Sequence, residues 1–331
     1  MPRRIVFTGK GQVAVHEFVR EPVGAGQVRL RAVCSLISTG TENICLHRLF
    51  APGTHWDQWV SSYPFATGYS MVGVVEEVGE GVSADLVGTR VVSRVAHASE
   101  AVTSAGHVYP YPPEIPAEQA AWFALGMIGF MGAKAGGFGI GHEVLVVGGG
   151  PIGQMAVRWA AACGAETIGL LDPVPMRLML GTAGGANRLL ELVAEGAAED
   201  VREAFGGELP GTVVDATGHA AVFEHCLALP RRLGKLVLLG DTGDPSQQRL
   251  TPDVVRRGIQ VHGAHVTHEE GEWTEGRIHR LFFELIRAGR FPLQNLITHR
   301  FAPEQAPEAY ELTTTRRSET MGVLFDWGYG S

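Results

Sequence analysis

Along the N-terminal third of the chain, apolar positions come in short runs punctuated by glycine and proline. Gln27–Val33 (QVRLRAV) alternates apolar and polar residues with period two, which predicts a half-buried strand. Gly73–Gly79 (GVVEEVG) and Gly88–Ser93 (GTRVVS) are further predicted strands bounded by glycine. The character changes near Pro113, where PPEIPAEQAAWFALGMIGFMGA predicts a proline-punctuated turn leading into helices. Strand and helix patterns then alternate: EVLVVG, PIGQMAVRWAAACG and ETIGLLD, with TVVDATG and KLVLLGDTG later. That alternation predicts a parallel sheet covered by helices on both faces. The tail reverts to an amphipathic helix over Arg277–Ala288, a second over Glu304–Leu312 and a strand at Gly322–Asp326. The predicted fold class is α/β: a discontinuous β-rich domain (1–126 and 267–331) into which a doubly wound domain (127–266) is inserted.

Composition supports this picture and narrows the partners. With 45% hydrophobic and 19% charged residues, the 331-residue chain has enough apolar surface for packed cores. The net charge is −8 and no basic run occurs, so nucleic acid is not an expected partner. The longest apolar stretch, Ala120–Ala133, stops at Lys134. It falls short of the roughly 20 residues that cross a bilayer and predicts a buried helix, with no membrane partner. The N-terminus lacks the apolar core of a secretory signal. The 4 cysteines (Cys34, Cys45, Cys163, Cys226) are scattered without a CxxC pair. That pattern fits a reducing cytoplasm and argues against a disulfide framework.

The chemistry starts at Val144–Val147, an apolar strand running straight into Gly148-Gly149-Gly150-Pro151-Ile152-Gly153. Gly148, Gly150 and Gly153 have the G-x-G-x-x-G spacing. The first allows a tight turn, the second lets pyrophosphate approach the backbone, and the third lets helix and strand pack closely. The helix start offers free N–H groups and a positive dipole end to phosphates. In a chain with 44 glycines the spacing alone is weak. Here it follows a strand, opens a helix, and is answered by Asp172 at the end of the next strand, where a carboxylate accepts ribose hydroxyls. A carboxylate there repels a 2′-phosphate, so NAD is expected ahead of NADP. Arg177 is the counter-indication, able to pair with a 2′-phosphate or to flank adenine. Thr217, Gly218 and Gly240 follow later strands and are expected to line the cofactor cleft.

With that unit placed, the whole chain resembles the medium-chain dehydrogenase/reductase (alcohol dehydrogenase-like) superfamily. Gly68–Gly79 (GYSMVGVVEEVG) stands where the family has G-H-E-x-x-G-x-V-x-x-V-G, within its GroES-like catalytic domain. Val213–Gly218 (VVDATG) and Leu236–Gly240 (LVLLG) match later strands of the family's Rossmann domain, and Leu296–Leu312 its returning C-terminal segment. Ile37–Glu42 (ISTGTE) most resembles the bacteriochlorophyllide a dehydrogenase-like subgroup. The resemblance also implies a homodimer. Zinc-dependent members place cysteine, histidine and a further cysteine or acid where this chain has Ser38, Tyr69 and approximately Leu125. A hydroxyl, a phenol and an isobutyl group do not build a tetrahedral N/S site, so no zinc is expected. The closely spaced Cys45, His47 and His55 are the alternative metal set, without a spacing that converges them.

Without a metal, a hydrogen-bond donor and a proton path must act on the substrate oxygen. Tyr69, at the place of a zinc-binding histidine, is the leading candidate; the other reading is a phenol filling a vacated cavity. Ser38, Thr39 and Thr41 are expected on the loop after the first domain's strand, either as a relay or as turn formers bonding their own backbone. Glu42 is either the base end of that relay or a carboxylate holding the loop, and His47 a candidate solvent terminus. Trp56, Trp59, Tyr63 and Phe65 form either a substrate wall or a small core of their own. His262, His265 and His268 are assigned no catalytic role.

The expected function is zinc-independent, NAD(H)-dependent interconversion of a secondary alcohol and its ketone, on a small polyol, sugar-like or natural-product substrate. The alternatives are a zinc-free enone or quinone reductase and a dinucleotide-binding protein without turnover.

Overall fold

The computed structural model describes residues 1–268 and 271–328. The chain divides into two compact units. One comprises Met1–Ala124, His279–Phe283 and Gln294–Ser331, the other Leu125–Ile278 and Glu284–Leu293. The second unit runs to Ile278, past the expected border at 266. Ring packing accounts for this: Trp273 lies 4.8 Å from Phe130, and Arg277 stacks over Trp273.

The first unit is built around the strand Gln27–Leu36, which pairs antiparallel with Met71–Val78, Glu100–Ser104 and Gly322–Asp326. Arg90–Ser93, Tyr109–Pro110 and Ile297–Phe301 complete a seven-stranded sheet. The central strand extends three residues past its predicted end at Val33 and is not simply half-buried. Arg29, read as an outward polar position, is 4% exposed; its guanidinium pairs with Glu77 and Glu100 at 3.0 Å each. A second sheet joins Arg3–Gly9, Gln12–Glu17 and Phe65–Ala66. One core, including Ile5, Phe7, Leu46, Tyr310 and Phe325, gathers residues from both ends of the chain.

The second unit is a six-stranded parallel sheet. Its order is Arg188–Leu190, Thr167–Leu171, Glu143–Val147, Thr212–Asp215, Lys235–Leu238 and Gln260–Gly263. Strand order reverses beside Glu143–Val147, the place where doubly wound sheets bind ligands beyond the carboxyl ends of their strands. Separate apolar clusters cover the two faces, as continuous runs such as Val144–Val147 require. The fold is the expected one, a GroES-like β-rich domain and an inserted Rossmann domain.

Candidate active site

The glycine motif takes the turn geometry its spacing predicts. Gly148 sits at φ 92°, a left-handed conformation that favours glycine. A Cβ on Gly153 would lie 1.8 Å from the Gly148 carbonyl oxygen, so the helix Pro151–Ala162 approaches the turn as closely as backbone allows. Gly150 is the N-cap and Pro151 takes N1, where its missing N–H costs nothing. A Cβ on Gly150 would meet nothing within 4 Å, so the space in front of the helix start is open. Ile152 packs beneath the turn with the apolar cluster of that face. Thr217 lies against Gly148, and Gly240 against Gly218, gathering these residues at the carboxyl edge of the sheet. The buried Asp215 accepts from the Thr217 N–H at 2.9 Å and its hydroxyl at 2.6 Å, which holds that corner.

Asp172 is 2% exposed and more fully engaged than expected. Its Oδ2 accepts from the Gly149 N–H at 2.7 Å and from Arg177 at 3.2 Å, and its Oδ1 from the Val174 N–H at 2.9 Å. A carboxylate offers roughly four acceptor positions, so there is room for about one further hydroxyl, not for both ribose hydroxyls. Arg177 is paired with that carboxylate.

In the first unit, Ser38 is the N-cap of the helix Thr39–His47. Thr39 and Thr41 therefore lie in a helical first turn, not on a loop as expected. An N-cap serine ordinarily turns its oxygen onto a free amide of that turn. Ser38 makes no such bond; its Oγ instead accepts from the Tyr69 hydroxyl at 2.6 Å. Thr41 Oγ1 stands 3.3 Å from the same phenol. Burial drives the Tyr69 hydroxyl above the ordinary tyrosine value and Glu42 adds to this, while the bonds to Ser38 and Thr41 and nearby Arg94 pull it down. The net direction is upward, so the phenol keeps its proton and serves as a donor.

Glu42 lies beneath this cluster, 1% exposed. Its carboxylate accepts from the Ser38 N–H at 2.7 Å, Thr67 Oγ1 at 3.0 Å, His97 Nε2 at 3.1 Å and the Tyr310 hydroxyl. Burial pushes this carboxyl up, but His97 and the donors from Tyr310 and Ser38 outweigh it and hold it below the usual value. His97, fully buried, continues to Ser35 Oγ at 2.8 Å, and the Ser35 oxygen accepts from Trp327 Nε1 at 3.0 Å. Sequence reading missed Ser35, His97, Tyr310 and Trp327; no local motif marks them.

The remaining candidates separate from the cluster. The Thr39 carbonyl accepts from Asn43 at 2.7 Å, a local helix contact. His47, at the far end of the helix, bonds Thr314 at 3.0 Å; burial lowers its basicity, with Lys10 adding to the effect. Trp56 is a core residue, while Trp59 is 45% exposed and its ring meets Phe65 edge-on at 5.6 Å. Cys45 is a packed core thiol raised to about 12 by burial and by Glu42. Among the described residues, no three His, Cys, Asp or Glu side chains are grouped to hold a metal, and no helix is long and apolar enough to cross a membrane.

Comparison with known proteins places this geometry. Residues 151–281 match the family model described as zinc-binding dehydrogenase. The chain is 27% identical over 308 residues to an L-threonine 3-dehydrogenase of Anaeromyxobacter sp. (strain K), covering 83% of this chain and 86% of that one. It is 26% identical over 220 residues to a sorbitol dehydrogenase of Bacillus subtilis (strain 168), covering 66% and 59% respectively. The zinc-dependent alcohol dehydrogenase 2 of Streptococcus pneumonia shares the fold along the whole of both chains, with a TM-score of 0.85 at 18% identity. By sequence and fold, the chain is similar to the medium-chain, zinc-binding-type alcohol dehydrogenases, and it is an oxidoreductase.

Proposed function

We propose that this chain is an NAD(H)-dependent, zinc-independent oxidoreductase that interconverts a secondary alcohol and its ketone, with a polyol, sugar-like or natural-product substrate. The relatives support the alcohol–ketone reaction: two are named for dehydrogenation of threonine and of sorbitol, both of which carry secondary hydroxyl groups. The likeness of Ile37–Glu42 to bacteriochlorophyllide a dehydrogenase-like proteins is what keeps a natural product among the substrates.

The observation that carries the metal-free reading is the Tyr69–Ser38 hydrogen bond at 2.6 Å. These are the positions at which zinc members supply imidazole and thiolate, and here two hydroxyls satisfy each other. The third position, Leu125, is buried and apolar, and the four donors around Glu42 occupy its carboxylate. The donor set does not fit zinc. The matched family segment begins at residue 151, beyond Ser38, Tyr69 and Leu125, and so does not bear on the metal.

The glycine turn does fit a dinucleotide, whose nicotinamide when bound would supply or accept the hydride. Gly148, Gly150 and Gly153 shape the turn, the Ile152 and Gly153 amides face the phosphates, and Asp172 takes the adenosine ribose. Asp172 favours NAD, although its pairing with Arg177 softens the repulsion of a 2′-phosphate. In ketone reduction, the Tyr69 hydroxyl bonds the substrate oxygen and passes its proton as the hydride arrives. The phenolate regains a proton from Ser38 or Thr41, and half-buried Thr41 is the outer end of that chain. Glu42 holds the Ser38 backbone and is a positioning residue.

Titration with NADH and NADPH, followed by nicotinamide fluorescence, tests the cofactor, and turnover of a panel of secondary alcohols and ketones tests the reaction. We expect saturable NADH binding, weaker NADPH binding and turnover within the panel. Absence of response to both nucleotides overturns the proposal. Turnover of activated enones alone favours the reductase alternative.

A further inference from the structure

The helix that follows the glycine turn carries a fully buried arginine with no carboxylate partner among the described residues. Arg158 is 0% exposed, and burial lowers its pKa to about 10. Its Nη1 donates to the Gln154 carbonyl at 3.1 Å and to Gln154 Oε1 at 2.8 Å. Its Nη2 donates to the Leu180 carbonyl at 3.3 Å, and its Nε to the Pro292 carbonyl at 2.5 Å. Gly184 makes room for it, because a Cβ there would come within 2.6 Å of Nη1. A cation this deep is costly unless its donors are used, and every partner here is a neutral oxygen.

The chemistry of Gln154 gives that cation a purpose. With Oε1 turned to the guanidinium, the amide nitrogen must face the other way. Its Nε2 donates to the Gly149 carbonyl at 2.9 Å and to the Arg177 carbonyl at 2.8 Å. The reverse orientation would set NH2 against the guanidinium and oxygen against two carbonyls. Gly149 is thus held at both ends, its N–H by Asp172 and its carbonyl by Gln154. Arg177 is tied the same way, its guanidinium to Asp172 and its carbonyl to Gln154. We infer that Arg158 and Gln154 form a brace that fixes the Gly149–Asp172–Arg177 triangle and thereby sets the preference between nucleotides with and without a 2′-phosphate. They are positioning residues, one layer behind the groups that meet the cofactor. This inference rests on the dinucleotide reading above.

The test compares the unsubstituted chain with Gln154→Glu and Gln154→Met, using NADH and NADPH as separate probes. Glutamate keeps the side-chain length but sets an anionic oxygen against the Gly149 and Arg177 carbonyls. Methionine removes both donors without adding charge and serves if the glutamate variant does not fold. The expected result is a roughly tenfold rise in Kd for NADH with little change for NADPH, so that the preference between them collapses. KM for NADH should rise while kcat at saturating cofactor stays within about twofold. Equal losses for both nucleotides would mark a merely structural role and overturn the inference, as would unchanged affinities. Binding of neither nucleotide by the unsubstituted chain would overturn the dinucleotide reading and this inference with it.

Discussion

Ser38 departs from what its position dictates, and the departure is chemically informative. A serine at a helix start that leaves the amides alone and pairs with a buried phenol gives up a contact usually worth about 1 kcal/mol. If Tyr69 delivers the proton, Tyr69→Phe lowers the ketone reduction rate about a hundredfold at saturating cofactor, the lower end of what general acid catalysis contributes. Adding Ser38→Ala to that variant lowers it little further, because the two hydroxyls act as one unit. Unchanged turnover in Tyr69→Phe would remove the phenol from the mechanism. The raised Tyr69 hydroxyl also sets a pH dependence. The protonated donor persists above the ordinary value of 10, so the reduction rate should hold through mildly alkaline pH and fall only beyond that value. Glu42 works in the opposite sense. Its folded-state pKa lies below 4.5, so the stability it contributes is present above that value and is lost as pH falls through the lower folded value. Melting temperatures of the unsubstituted chain and Glu42→Gln, followed downward through that window, should converge.

The helix Pro151–Ala162 and the turn before it can be probed by a pair of alanines with opposite signatures. Gly150→Ala adds a Cβ that meets nothing within 4 Å, at an ordinary φ of −66°. Stability should stay within about 0.5 kcal/mol while NADH binding is lost, because the methyl group occupies the space left for pyrophosphate. Gly153→Ala puts its Cβ 1.8 Å from the Gly148 oxygen. Here stability should fall by about 1–3 kcal/mol together with binding, since backbone must move. Thermal melts and fluorescence titration of both variants check this, and NADH binding by Gly150→Ala would sink the assignment of the cradle. The same element shows which local geometry was legible in the sequence. Gly148, Gly153 and Asp172 belong to one strand–turn–helix–strand passage, and their spacing follows from local geometry. The network under Ser38 is of another kind. Glu42 meets His97 across 55 positions and Tyr310 across 268, and Trp327 reaches Ser35 across 292. Each was invisible as a pair because only the folded sheet brings them together. The helix Thr39–His47 escaped prediction because its opening residues, Thr, Gly and Thr, are poor helix formers. The first-turn Glu42 compensates through its bond to the Ser38 N–H and its charge near the helix start.

Across the molecule, the two units carry separable tasks in the proposed reaction: the second holds the nucleotide and the first manages the proton. Dialysis against a strong chelator should therefore leave turnover and melting temperature unchanged. One tightly held zinc per chain, by elemental analysis, would refute the reading of Ser38 and Tyr69. The bond between those two hydroxyls also constrains substitution of the pair. Placing cysteine at 38 alone would leave the phenol facing a thiol, and placing histidine at 69 alone would leave a serine beside an imidazole. Neither change alone assembles a tetrahedral N/S site, and the histidine removes the proposed proton donor. In the proposed reaction, the pair of hydroxyls therefore cannot be exchanged for a metal site one residue at a time.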